Sequence, residues 1–220
     1  MSTQDNKITA PERGSVKVSV VVPTYNCGKY LDESLQSLKQ QTLKDIEIIV
    51  IDDGSTDDTP AVLDRWARED YRIKIISTHN NGTSVARNIG IACACGEYIY
   101  FLDSDDKVEP ETLELCYAKA VADNLDVVMF DARLWLEDES VFAEKDLLLK
   151  RGDNLVGKVY SGLEILKLQK AQGTYTSVVT RYVTRRSILR ELNLNFCPYI
   201  IHEDEPFTLQ LLICAGRVEH

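Results

Sequence analysis

The chain has no run of the roughly 18 to 20 apolar residues that a membrane-spanning helix needs. Its opening MSTQDNKITAPERGS is polar, without the apolar core of a secretory signal. Residues 1–15 are therefore expected to form a disordered, tag-like lead. Basic residues are in deficit: 25 Lys and Arg face 35 Asp and Glu, a formal net charge of −10. That balance excludes nucleic acid as the main partner, because backbone phosphates demand clustered Lys and Arg. Six cysteines (Cys27, Cys93, Cys95, Cys116, Cys197, Cys214) form no CxxC pair and have no histidine at zinc spacing. Without an export signal they are expected to be reduced thiols in the cytoplasm. Cys93 and Cys95, within IACACG, are expected to be small buried side chains. The dinucleotide fingerprint GxGxxG is missing from the first turn, as is a Walker lysine loop. An acidic chain that handles phosphates without these loops needs a local cation, for which a metal is one obvious choice.

What is present is ordinary in bulk and informative in pattern. A hydrophobic content of 44% over 220 residues supports one large domain, or one domain with a small appendage. VKVSVVV (16–22) is a β-branched run with little alternation, as in a strand covered on both faces. After PTYN, the apolar positions Leu31, Leu35 and Leu38 trace one helical stripe. IEIIVI, RIKIIS, YIYFL and LDVVMFDARLWL read as further strands, separated by helical stretches, one of which has Pro60 near its first turn. Strand and helix thus alternate over 16–136, which predicts βαβ units around a mostly parallel sheet. Residues 137–157 break the rhythm and read as a loop or insertion. The last third reads as a helix, a strand and two helices.

Ligands of open parallel sheets bind beyond the carboxyl ends of the strands. Those ends are PTYN (23–26), DDGS (52–55), STHNNG (77–82) and DSDD (103–106). In an extended segment Asp103 and Asp105 project to the same side, a pair of hard oxygen donors suited to Mg²⁺ or Mn²⁺. Alone, DSDD could simply lead the turn before Pro110; beside IDDGS the metal reading is preferred. Asp57 and Asp58 fit helix capping, whereas Asp52 and Asp53 lie earlier, where a carboxylate could meet a nucleobase or a sugar hydroxyl. HEDEPF (202–207) either stabilises a helix start at Pro206 or offers a general base. Spacing alone leaves both open.

With VSVVVPTYN, IEIIVIDDGSTDDT, NNGTSVARNIGI, EYIYFLDSDD and HEDEPF in this order, the chain resembles the inverting family-two glycosyltransferases of GT-A fold. The likeness covers residues 16 to about 216. It implies an α/β, Rossmann-like GT-A fold whose mostly parallel central sheet is flanked by helices. A nucleotide-sugar-binding part would span 16–136, and a smaller mixed acceptor-side part of the same domain 137–220. It also implies a UDP-sugar donor, a glycan or lipid-linked sugar acceptor, and Mn²⁺ or Mg²⁺. By motif position, Pro23, Thr24 and Tyr25 would line the uridine site, Asp53 would meet the uracil, and Arg87 and Ser104 would lie by the nucleotide. Asp105 would be the direct metal ligand, with Asp103 nearer the ribose and the metal's waters. Asp204 would be the base, and Glu203 would support it or contact the acceptor. The QxxRW signature of processive synthases is missing, so one sugar per encounter is expected. The chain stops at GRVEH, where family members commonly continue, so a truncated C-terminus is expected, with peripheral membrane contact through the segment beyond.

Two other readings stay open. A nucleotidyltransferase would carry a glycine- and lysine-rich first loop, which PTYNCGK matches poorly, and a non-catalytic sugar-nucleotide binder would keep the donor site alone. A receiver domain is excluded, since its paired acids follow the first strand. The donor sugar is expected to be set by a pocket that includes residues 134–138. Trp135 could stack on a sugar but reads as core, and Arg181, Arg185 and Arg186 could meet a phosphate or lipid head group but read as a solvated helix face.

Overall fold

The protein is described by a computed structural model covering residues 15–133, 148–151 and 153–220. Its first strand, Val18–Thr24 (β1), is buried at every position, which is why the sequence shows no alternation there. Neighbouring residues serve opposite faces. Val18, Val20 and Val22 pack with Leu31, Leu35, Leu38, Leu63 and Trp66, while Val21 packs with Ile49, Ile99, Phe101 and Phe207. Helices Gly28–Lys39 (α1), Thr59–Glu69 (α2) and Thr112–Ala122 (α4) place residues in the first core. Helices Thr83–Cys93 (α3), Gly162–Gln172 (α5), Arg186–Glu191 (α6) and Asp204–Cys214 (α7) place residues in the second.

The other strands are Ile46–Asp52 (β2), Ile73–Ser77 (β3), Tyr98–Phe101 (β4), Val127–Met129 (β5), Ala132–Arg133 (β6), Leu148–Leu149 (β7), Tyr182–Arg185 (β8) and Val218–Glu219 (β9). Seven of them form one sheet in the order β3-β2-β1-β4-β8-β5-β9, and β6 pairs with β7 apart from it. Within the large sheet only β8 runs antiparallel to its neighbours, between β4 and β5. The mostly parallel sheet flanked by helices agrees with the sequence, but two features differ from it. The long fifth strand ends at Met129, and Ala132–Arg133 turns away to pair with Leu148–Leu149. The closing strand β9, beside β5, had no periodic run long enough to announce it.

Further expectations are corrected. Cys93 and Cys95 are exposed, although all six cysteines are free thiols. Arg181, Arg185 and Arg186 do not form a solvated helix face. Arg181 is buried and bonds Asp131, Arg185 donates to the Leu125 carbonyl, and Arg186 donates to the Gly96 carbonyl. Trp135 and the segment 134–138 lie outside the described residues.

Candidate active site

The register sets the site. Thr24 at the end of β1 pairs with Asp52 at the end of β2, and the Leu102 N–H continues the β4 pairing by donating to the Val21 carbonyl. The chain beyond each strand therefore reaches the same edge. There an open cleft of about 400 Å³ is lined by Pro23, Thr24, Tyr25, Asp53, Arg87, Asp103, Ser104, Asp105 and Glu203. All the residues singled out by motif position line it except Asp204, which is hydrogen-bonded to the lining residue Arg87.

The DSDD segment departs from the extended geometry expected of it. Strand β4 ends at Phe101, and Asp103–Asp106 form a turn closed by the Asp106 N–H donating to the Asp103 carbonyl at 3.0 Å. Strand parity therefore does not set Asp103 and Asp105 on one side; the turn brings both to the cleft. Ser104 is buried, Asp103 half-buried and Asp105 exposed. Asp106 has its carboxyl pushed up to about 6, by desolvation first and then by repulsion from Asp103 and Asp105. A local excess of negative charge is thus built into the turn.

Arg87 is the organising cation. It lies on α3, which enters from Gly82 in a left-handed conformation (φ 88°). Its guanidinium is buried, and Nη2 donates to Asp103 Oδ1 at 2.9 Å. Nη1 donates to Glu203 Oε1 at 3.0 Å and to Asp204 Oδ1 at 2.7 Å. One guanidinium thus gathers carboxylates about a hundred residues apart in sequence. Asp204 Oδ2 also accepts the Val179 N–H at 3.0 Å. Burial raises the Asp204 carboxyl above its ordinary range. Arg87 and the Val179 bond pull it back, while Glu203 and Asp103 add to the rise.

On the nucleotide side, Thr24 is buried and Tyr25 holds an exposed ring at the mouth. The Asp53 carboxylate accepts the backbone N–H groups of Asn81 (3.0 Å) and Gly82 (2.7 Å), which fixes the entry to α3. Asp52 similarly accepts the Ser55 N–H at 3.0 Å. Both acids at the end of β2 therefore hold turns, a role that capping rules had not required of them. Asp57 does fit capping, accepting the N–H groups of Thr59 and Gly28 at the starts of two helices.

Among the described residues, no group of three or more His, Cys, Asp or Glu converges as an all-protein metal cage. The donors present fit a different kind of site. Two cleft-facing carboxylates in a charge-rich turn suit a hard divalent ion that completes its shell with phosphate oxygens and water. Sequence reasoning missed Cys27, Thr83 and Ala86, which also line the cleft. Thr83, Ala86 and Arg87 lie at helical spacing along α3, and that was the available signal. The Val179 amide carries none.

The description "Glycosyl transferase family 2" matches residues 19–192. The chain belongs to this family. The chain is 35% identical over 205 residues to the uncharacterized glycosyltransferase EpsJ of Bacillus subtilis, covering 92% of this chain and 58% of that protein. It is 31% identical over 207 residues to the uncharacterized glycosyltransferase YibD of Escherichia coli, covering 93% and 58%. It also superposes on the crystal structure of S. aureus TarS 1–349 in complex with UDP-GlcNAc, with a TM-score of 0.75 and 27% identity over 92% of this chain and 55% of that one. The chain thus has a GT-A fold and spans a little over half the length of these three proteins.

Proposed function

We propose that the protein transfers one sugar from a UDP-sugar to an acceptor hydroxyl with inversion, using Mn²⁺ or Mg²⁺. The observation that carries this reading is Arg87, which joins Asp103 of the turn to Glu203 and Asp204 at the start of α7. Residues 16–136 form the nucleotide-sugar part, and 137–220 the acceptor-side part. Pro23, Thr24 and Tyr25 line the uridine site with Asp53 at the uracil, and Arg87 and Ser104 lie by the nucleotide. A divalent cation held by Asp105 and Asp103 would supply electrostatic stabilisation to the departing diphosphate. Asp204 takes the proton of the acceptor hydroxyl as that oxygen bonds to the anomeric carbon. The bond from that carbon to the diphosphate oxygen breaks on the opposite face, and UDP leaves with the electron pair. An α-linked donor thereby gives a β-linked product, as in inverting glycosidases with the acceptor in place of water. Glu203, which lines the cleft, orients the acceptor and supports the base.

The acceptor is proposed to be a glycan or lipid-linked sugar of a bacterial surface or capsular polysaccharide, in keeping with the bacterial relatives. No helix among the described residues is long and apolar enough to cross a membrane. Action in the cytoplasm, with peripheral contact at the membrane's inner face, belongs to the same proposal. Calorimetric titration with UDP tests the donor side: binding should require Mn²⁺ and be lost in Asp105→Ala. Metal-independent binding, or binding unchanged in that variant, overturns the metal assignment. A panel of UDP-sugars assayed for hydrolysis tests the chemistry, and Asp204→Asn should abolish turnover while UDP affinity persists.

A further inference from the structure

We infer that Asn88 is a positioning residue for the catalytic base, acting by clamping the backbone of Phe196. This inference rests on the functional reading above. Asn88 follows Arg87 on α3, so the two side chains point about 100° apart from one rigid turn of helix. Arg87 faces the carboxylates, and Asn88 faces the connection between α6 and α7. The Asn88 amide nitrogen donates to the Phe196 carbonyl at 2.8 Å, and its Oδ1 accepts the Phe196 N–H at 2.8 Å. Both backbone groups of one residue are satisfied by one side chain, a geometry that fixes orientation as well as distance.

Phe196 is where the elements of the site meet. Its ring stacks on Phe207 of α7 with centroids 3.9 Å apart and planes 6° apart. Phe207 lies one turn after Asp204. Phe101, two residues before Asp103, meets the Phe196 ring edge-on at 5.3 Å and the Phe207 ring at 6.1 Å. The Arg87 guanidinium carbon lies 5.2 Å from the centre of the Phe196 ring. Clamping Phe196 therefore fixes the base helix relative to both Arg87 and the DSDD turn.

The connection needs such a fixture. Tyr199 and His202 hold left-handed backbone (φ 62° and 61°), and Tyr199 and Ile201 are almost fully exposed. Among the described residues, the backbone of 195–203 forms hydrogen bonds to other elements at two places: at Phe196 through Asn88, and at His202, whose carbonyl accepts the Glu205 N–H at the start of α7 at 3.0 Å. Glu203 and Asp204 follow directly. Without the clamp, the segment leading into the base is anchored at Phe196 by ring packing alone.

Asn88→Ala tests this in the full chain. UDP affinity with Mn²⁺ should stay within about twofold, while turnover of a hydrolysed UDP-sugar falls about tenfold to a hundredfold, as misplacement of a reacting group predicts. Hydrogen exchange should speed up at the Glu205 amide, which bonds the His202 carbonyl, and through the first turns of α7, and stay unchanged in α1 and α2. Asn195→Ala, at an exposed neighbour whose side chain among the described residues bonds Asn193 alone, should leave all three readouts as they were. Unchanged turnover with unchanged exchange overturns the inference, as does a loss of UDP affinity in step with turnover. Should Asn88→Ala fail to fold, Phe196→Leu keeps the backbone pair and removes the ring. Lost turnover with retained UDP binding then supports the inference, and joint loss overturns it. If the wild-type chain neither binds UDP nor hydrolyses any sugar nucleotide, the functional reading falls. Exchange at Glu205 and the first turns of α7 in Asn88→Ala then decides the clamp by itself.

Discussion

Arg87 balances three carboxylates with a single positive charge, so the protonation of Asp204 depends on it. An ionised Asp204 is needed to accept a proton, and burial raises its pKa. Turnover should therefore fall as pH is lowered through a value above the ordinary aspartate 3.8. In Arg87→Ala, loss of the countercharge should move that acid limb further up. A pH–rate profile checks both, and Asp106→Asn should leave the limb in place, since Asp106 is a separate group pushed up to about 6. A second buried carboxylate, Glu47, behaves oppositely. Burial alone would raise it, but bonds from Cys95, Lys74 and Ser19 outweigh burial and hold it at about 2, against an ordinary 4.5. The folded state therefore gains stability from Glu47 above pH 4.5, and that stability is lost as pH falls from there towards 2. The shift corresponds to roughly 3 kcal/mol. Denaturant unfolding of Glu47→Gln between pH 2 and 7 should show a smaller loss on acidification than the wild type.

Among elements, the approach of α5 to α7 matters most to the site, because α7 carries Asp204. Gly162 opens α5, and a Cβ there would lie 2.0 Å from the Leu212 carbonyl oxygen, a backbone atom that cannot rotate aside. Gly162→Ala should cost about 1–3 kcal/mol in denaturant unfolding. It should also reduce turnover by displacing α7. The first four βα units were legible in sequence because each strand is a short apolar run and each helix a full stripe, as with Leu31, Leu35 and Leu38. Strand β9 was not legible, since two residues carry no period. The antiparallel insertion of β8 was not either, because pattern fixes an element's type and leaves its neighbour open. At the cleft, the strand-end motifs pointed to residues that do come together. The turn at Asp103 defeated the parity argument, which holds only while the chain stays extended. Asn88, Phe196 and the Val179 amide were invisible because their roles depend on backbone groups and on contacts about a hundred residues apart.

The molecule as a whole carries −10, and its proposed donor is itself an anion. Association with UDP should therefore accelerate with added salt at fixed Mn²⁺, as screening removes like-charge repulsion. Stopped-flow measurements at low and moderate ionic strength check the sign, which is opposite to that of a nucleic-acid binder. The sheet's topology also has a consequence during synthesis. β4 is complete at Phe101, but the strand that covers its open edge, β8, begins only at Tyr182. At about 5–20 residues per second, a ribosome needs some seconds to deliver it. For that interval the nascent chain carries four parallel strands with the bare backbone edge of Tyr98–Phe101 leading to the DSDD turn. Delays placed in that stretch of the message should lengthen the exposure and, with it, the demand for chaperones.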